Sequence, residues 1–173
     1  MAVTIDGSAN TVTARATQSL VSGTAVASTS GTSIDFTGIP SWVKRITVMF
    51  NGVSLSATAA FLVKIGTSSG IESTGYLSGS SHQDNTSTSG QGSTAGFIVR
   101  NASAAILNNG IMTICNVSSN TWVASHSFGS SVTIFTKTGG GSKTLAGVLD
   151  RIQITADNGT DTFDAGSINI MYE

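Results

Sequence analysis

The sequence predicts an all-β protein, an antiparallel β-sandwich with a jelly-roll-like arrangement as the preferred version. Three observations predict this fold. No long segment places apolar residues at helical spacing with capping residues at its ends. Short runs of alternating apolar and polar residues recur along the chain instead. Turn-forming pairs separate many of these runs, and short strands at close spacing are typical of sandwiches and barrels.

The individual strands follow from the alternation. Ile46, Val48 and Phe50 share one face of one run, and Ile152 and Ile154 share one face of another. Successive strand side chains point to opposite faces of a sheet, so each run is expected to bury one face and expose the other to solvent. The predicted strands, in order, are 20–27, 32–37, 43–53, 60–66, 74–79, 95–100, 104–116, 121–126, 132–138, 143–149, 150–156 and 160–171.

Four dipeptides favour tight turns, because Asn, Asp and Gly tolerate the backbone angles that hairpins require. The last of them is expected to join two strands that run from residue 152 to residue 170. The four pairs are Asp6-Gly7, Asn51-Gly52, Asn109-Gly110 and Asn158-Gly159.

Two domains of different character are expected. Residues 1–30 contain few large apolar side chains, which predicts an extended N-terminal arm used for attachment or strand exchange with a neighbouring subunit. Residues 31–173 are expected to form the β-sandwich domain. Within it, 78–94 is the most loop-like stretch, and long polar loops are usually functional or mobile. The glycine run at 139–142 predicts a shorter flexible tip.

Composition argues against several kinds of partner. Only 10% of residues are charged and the formal net charge is −1, whereas nucleic acid and anionic lipid both require clustered Lys and Arg. No run approaches the length of a membrane-spanning helix, and the first residues lack the features of a signal peptide. We therefore expect no nucleic acid and no membrane as partners.

No catalytic constellation is evident, and we expect no catalytic residue, no cofactor and no bound metal. His82 and Asp84 form a His-x-Asp pair that suits a metal, but a solvated loop explains the same residues. His126 is expected at the surface end of a strand. Cys115 lies in an apolar run, where a small buried residue is favoured over a nucleophile. Trp42 and Trp122 are expected to anchor the core.

An acidic cluster near the C-terminus leaves two interpretations open. Asp157, Asp161 and Asp164 supply oxygen atoms at short spacing, as Ca²⁺ prefers. The spacing is not that of the twelve-residue calcium loop, and Asp and Asn side chains also cap their own turns. The turn is favoured over the cation site.

Three segments resemble a known group of proteins. Residues 31–53 read GTSIDFTGIPSWVKRITVMFNGV and residues 158–173 read NGTDTFDAGSINIMYE. Both are similar to blocks of bacteriophage tail-module and virion-associated proteins, and the opening VTIDGSANT at 3–11 resembles the start of phage tail fibre proteins. The resemblance implies a structural part of a virion, assembled in the cytoplasm of the host bacterium, and brings no catalytic residues with it.

The resulting functional expectation is a tail fibre, tail appendage or receptor-binding component, which is not an enzyme. It would contact other virion proteins, form a homo-oligomer, a trimer by preference, and present its polar loop to a host-surface glycan or protein. The candidate contact residues in that loop are His82, Gln83, Asp84 and Asn85. The alternative is a capsid decoration protein on the head.

Overall fold

The structure is a computed structural model that describes residues 2–6, 11–15, 20–101, 103–130 and 135–173. Every regular element in these ranges is a β-strand. The strands, in chain order, are β1 (Ala2–Asp6), β2 (Thr11–Arg15), β3 (Val21–Ser22), β4 (Val26–Ala27), β5 (Ser33–Thr37), β6 (Arg45–Leu55), β7 (Phe61–Thr67), β8 (Gly70–Ile71), β9 (Leu77–Gln83), β10 (Thr88–Ser93), β11 (Phe97–Val99), β12 (Asn108–Ser118), β13 (Thr121–Ser130), β14 (Phe135–Thr144), β15 (Arg151–Ala156) and β16 (Phe163–Tyr172).

Two antiparallel sheets of unequal size pack face to face. The large sheet has the order β10-β9-β14-β13-β12-β6-β16-β3, with β4 also paired to β16. The small sheet has the order β11-β7-β15-β5, and β8 pairs with the C-terminal end of β7. The predicted all-β antiparallel sandwich is confirmed, while its jelly-roll version stays a prediction.

The core lies between the two sheets and follows the alternation. Along β6 the residues Ile46, Val48 and Phe50 are buried, as the period of two requires. The Phe50 ring meets Phe128 of the large sheet edge-on at 5.0 Å between centroids and Phe61 of the small sheet at 5.9 Å. Such edge-to-face pairs add about 0.5–1.5 kcal/mol to the area they bury, so Phe50 ties the two layers together.

The tryptophans take the predicted places. Trp122 on β13 is buried, and Trp42 is half-buried just before β6. The Trp42 ring lies 6.0 Å from the ring of Tyr172, near the end of β16. Cys115 is half-buried on β12.

Two predicted loops are strands. The prediction of a polar loop at 78–94 is wrong, because β9 and β10 form an antiparallel hairpin there. The predicted tip at 139–142 is also wrong, because these residues lie inside β14, between β13 and β9. Where strands at 132–138 and 143–149 were expected, β14 runs from Phe135 to Thr144 without a break, and 132–134 lie outside the described residues.

The turn pairs divide into two kinds. Asn158-Gly159 lies in a turn between β15 and β16, where Gly159 has a φ of 70°, so this prediction is confirmed. The Asn51-Gly52 and Asn109-Gly110 predictions are wrong, because both pairs lie within long strands, β6 and β12. They meet at an irregularity between those strands, where the Gly52 N–H donates to Asn109 Oδ1 at 2.8 Å. Gly7 of the remaining pair, Asp6-Gly7, is outside the described residues.

The N-terminal segment contains four short strands. β1 and β2 pair with each other as a separate two-stranded sheet. β3 and β4 both pair with β16 of the same chain, so residues 21–27 belong to the large sheet. A role of residues 1–30 in attachment or strand exchange stays a prediction.

Candidate functional site

The tip of the β9–β10 hairpin is held by one carboxylate. Asp84 Oδ1 accepts the backbone N–H groups of Thr86 at 2.8 Å and Ser87 at 2.6 Å. These two bonds lower the pKa of Asp84 to about 2, so the side chain is a carboxylate near neutral pH. Asn85, Thr86 and Ser87 are exposed in this turn, whereas the Asp84 carboxylate is hydrogen-bonded to the backbone of the turn.

The predicted contact residues divide into buried and exposed ones, although His82 Nε2 lies 3.7 Å from Asp84 Oδ2. His82 is only 5% exposed and points toward the small sheet. Its Nδ1 atom lies 3.0 Å from Ser89 Oγ and accepts a bond from Arg100 Nε at 3.2 Å. Burial therefore removes His82 from any receptor surface, whereas Gln83 and Asn85 are exposed.

Sequence reasoning missed a buried polar cluster beneath this hairpin. Lys137 on β14 is 2% exposed and donates to Asn101 Oδ1 at 3.2 Å and to Asn108 Oδ1. The amide nitrogen of Asn108 donates to the carbonyls of Val53 and Ile106, at 3.0 Å each. The Asn108 oxygen is thus directed at the lysine. Burial and the nearby charge of Arg100 lower the pKa of Lys137 to about 7.

His126 is the second titratable member of this cluster. The side chain is buried, its Nε2 atom lies 3.1 Å from Ser80 Oγ, and its ring lies 5.5 Å from that of Phe128. Burial and the charge of Lys137 lower the pKa of His126 to about 4, so the imidazole is neutral at pH 7. The prediction of a surface residue at a strand end is wrong, since His126 points inward from the middle of β13.

The lowered pKa of Lys137 raises the question whether the cluster is reactive. A lysine with a lowered pKa is the kind of amine that attacks carbonyl groups. At 2% exposure it cannot meet a substrate carried by solvent in this fold. Buried polar groups that satisfy one another instead rigidify and specify a core. We interpret the Lys137 cluster as a structural element.

An ion pair joins β14 of the large sheet to the segment that follows β8 of the small sheet. Lys143 Nζ lies 2.6 Å from Glu72 Oε2 and 5.5 Å from the centroid of the Tyr76 ring. The other Glu72 oxygen accepts the N–H of Ala146 at 2.8 Å. Burial alone would raise the pKa of Glu72, but the bonds from Lys143 and Ala146 outweigh it and lower the pKa. Both oxygens are occupied, which suits a structural role.

Asp157 and Asp161 of the C-terminal acidic cluster lie in and beside a turn, whereas Asp164 lies on β16 and accepts a bond from Ser54 Oγ. Asn158 Oδ1 accepts the N–H groups of Thr160 and Asp161, at 3.0 Å each. Asp157 and Asp161 accept backbone N–H groups from the segment before β7. Among the residues that the structure describes, no group of three or more His, Cys, Asp or Glu is placed to hold a metal ion.

A broad surface feature is the outer face of the large sheet, a name used for the outward residues of β6, β12, β13, β14, β9 and β10. These six strands lie about 4.8 Å apart, so the face is roughly 24 Å wide. One row across it, following the strand register, is Met49, Ile111, Ser127, Thr138, Ser81 and Gly90. The next row is Thr47, Thr113, Ser125, Gly140, Gly79 and Gly92.

Charge is nearly absent from the outer face. The described outward residues of the six strands include one charged side chain, Arg45, and its guanidinium pairs with Glu173 at the edge. Exposed apolar side chains on these strands include Ile111, Val123 and Leu77, which are 48%, 40% and 72% exposed. The face therefore presents hydroxyl groups, glycine backbone and apolar side chains.

Comparison with known proteins gives no relative. No family model, no curated protein and no solved structure matches the chain. In the described ranges, no helix has the length and apolar character needed to cross a bilayer.

Proposed function

We propose that the chain is a structural component of a bacteriophage particle, a tail fibre, appendage or receptor-binding subunit. The observation that carries the proposal is the outer face of the large sheet. Soluble proteins normally keep both signs of charge interspersed on their surfaces. A sheet face of this breadth with one charged residue at its rim suits contact with other proteins, where the centre of an interface is depleted of charge.

The resemblance of residues 31–53 and 158–173 to virion-associated proteins supports the same proposal. These two segments contain β6 and β16, which are neighbours in the large sheet. The segments that carry the resemblance therefore contribute two adjacent strands to that sheet, and 31–53 also contributes β5 to the small sheet. In the proposal, the outer face packs against neighbouring subunits or other virion proteins.

The hairpin tip is the proposed contact with a host-surface glycan or protein. Asn85 and Gln83 present amide groups at the tip, and the Asp84 bonds fix the backbone there. A substitution of Asn85 to Arg should reduce adsorption of particles to host cells while the protein stays folded. Ser33→Arg, on the exposed side of the small sheet, is the matched control. Equal adsorption of both variants would contradict a contact at this tip.

The position on the particle is tested by labelling. Particles purified from the bacterium that carries the gene should contain the chain by mass spectrometry, and a gold-labelled antibody should mark their tails. Labelling of heads would instead support the capsid decoration alternative. Particles from a strain deleted for the gene serve as the negative control. If wild-type particles contain no more of the chain than this control, the proposal is overturned.

A further inference from the structure

Among the described strands, β10 is an edge of the large sheet that pairs only with β9, and its own residues carry none of the usual edge protection. Its residues, Thr88–Ser93, include no charge and no proline. Sheets normally blunt their edges with charged residues, prolines, bulges or very short strands. The other described edges of the two sheets follow that rule: β3 and β4 have two residues each, β11 has three, and β5 carries Asp35.

The hydrogen-bond pattern shows which backbone groups of β10 are free. Asp84 and Ser87 form a hydrogen-bonded pair at the turn, with the Asp84 N–H donating to the Ser87 carbonyl at 3.0 Å. Pairs along an antiparallel hairpin alternate from there. Ser89 and Gln91 consequently bond to β9, while residues 88, 90 and 92 direct their N–H and C=O groups away from it.

We propose that this edge binds the same edge of a second copy of the chain. The two β10 strands run antiparallel about a two-fold axis at Gly90, so that Gly90 faces Gly90 and Thr88 faces Gly92. Each of these facing pairs exchanges two backbone hydrogen bonds, about six in all. In this register the outer faces of both large sheets lie on the same side, and the sheet continues from one copy into the other.

The composition of β10 supports a second copy as the occupant. A two-fold axis places like residues opposite each other, so a charged edge would repel itself. The outward residues are Thr88, Gly90 and Gly92, which bring neither charge nor bulk to the axis. The proposal goes beyond a role in a virion and does not depend on it. It requires an even number of copies, unlike the trimer expected from the sequence.

A matched pair of charged variants tests the pairing in the full chain. In Gly90→Lys two ammonium groups face each other at the axis, at a site where an added Cβ has no atom closer than 3.8 Å within the chain. Ser33→Lys puts the same charge on the exposed side of the small sheet, away from β10 and from the outer face of the large sheet. Light scattering over a range of concentrations should show a dimer for the wild type and for Ser33→Lys. The dissociation constant of Gly90→Lys should rise about tenfold or more.

Disulfide trapping tests the register. In a Cys115→Ser background, Gly90→Cys places two thiols opposite each other, so mild oxidation should give a covalent dimer. Ser33→Cys in the same background should stay uncrosslinked. A wild type that is monomeric or trimeric at all concentrations would overturn the proposal, as would equal behaviour of the residue 90 and residue 33 variants. These results leave the labelling of particles unaffected.

Discussion

The amino group of Lys137 on β14 contacts the Oδ1 atom of Asn108 on β12, although β13 lies between these strands in the large sheet. The contact runs over the inner face, in the interior between the two sheets. No carboxylate takes part in it: the partners are the carboxamides of Asn108 and Asn101. The fold therefore buries an amine without an opposite charge, which ties its stability to pH.

Lys137 should make the protein more stable as the pH rises above 7. Its pKa is about 7 in the folded chain, against an ordinary value of 10.5. Between these values the unfolded chain holds a proton that the folded chain releases, so stability increases with pH. The increase from pH 7 to pH 9 should be about 2 kcal/mol. It should be absent in Lys137→Met and present in Lys44→Met, which alters an exposed lysine.

Urea unfolding at pH 7, 8 and 9 measures this difference. The range stops below pH 10 because burial raises the pKa of Tyr76, which has the opposite effect once the unfolded tyrosine ionises. An increase of the same size in Lys137→Met would show that another group causes it.

His126 should make the protein less stable in acid. Burial lowers the pKa of its imidazole from 6.5 to about 4. Between pH 6.5 and pH 4 the unfolded chain binds a proton that the folded chain does not, so stability falls with the pH. The loss from pH 6.5 to pH 5 should be about 2 kcal/mol and smaller in His126→Gln. In NMR spectra of the folded protein, the His126 ring should titrate near pH 4; a midpoint near 6.5 would contradict its placement.

Gly139 should tolerate no side chain. A Cβ at this position would lie 2.5 Å from His126 Cε1 and 2.8 Å from Ser80 Cα. At Gly79, on the neighbouring strand, the nearest atom to an added Cβ is 4.0 Å away. Gly139→Ala should therefore lose about 2 kcal/mol or more of unfolding free energy, and Gly79→Ala much less. Thermal and urea unfolding of the two variants provide the comparison, and equal stabilities would argue against the close strand packing at β14.

The same glycines explain where sequence reasoning failed. Consecutive glycines usually indicate a flexible turn, yet Gly139 and Gly141 lie inside β14. Glycine is required at these two positions because an added Cβ would lie within 3 Å of atoms on the neighbouring strands. The β9–β10 hairpin was missed for a related reason. Its inward positions hold Ser80 and His82 rather than apolar residues, so the segment lacks the alternation that identifies a strand.

Other elements could be predicted because their signals are local. The buried period of two in β6 and β15, and the turn at Gly159, depend on neighbouring residues alone. The contacts of Lys137 with Asn108 and of Lys143 with Glu72 join residues 29 and 71 positions apart. Such pairs depend on strand order, which no local pattern in the sequence specifies.

The most direct test of the structural role places a charge at the centre of the outer face. Ser127 on β13 is exposed there, and Ser33 on β5 is exposed on the small sheet. Ser127→Lys and Ser33→Lys should both fold, as shown by circular dichroism. Quantitative mass spectrometry of purified particles should find Ser33→Lys at the wild-type level and Ser127→Lys reduced about tenfold or more, because burying an unpaired charge in an interface is costly. Incorporation of Ser127→Lys at the wild-type level would contradict the assignment of the outer face as a packing surface.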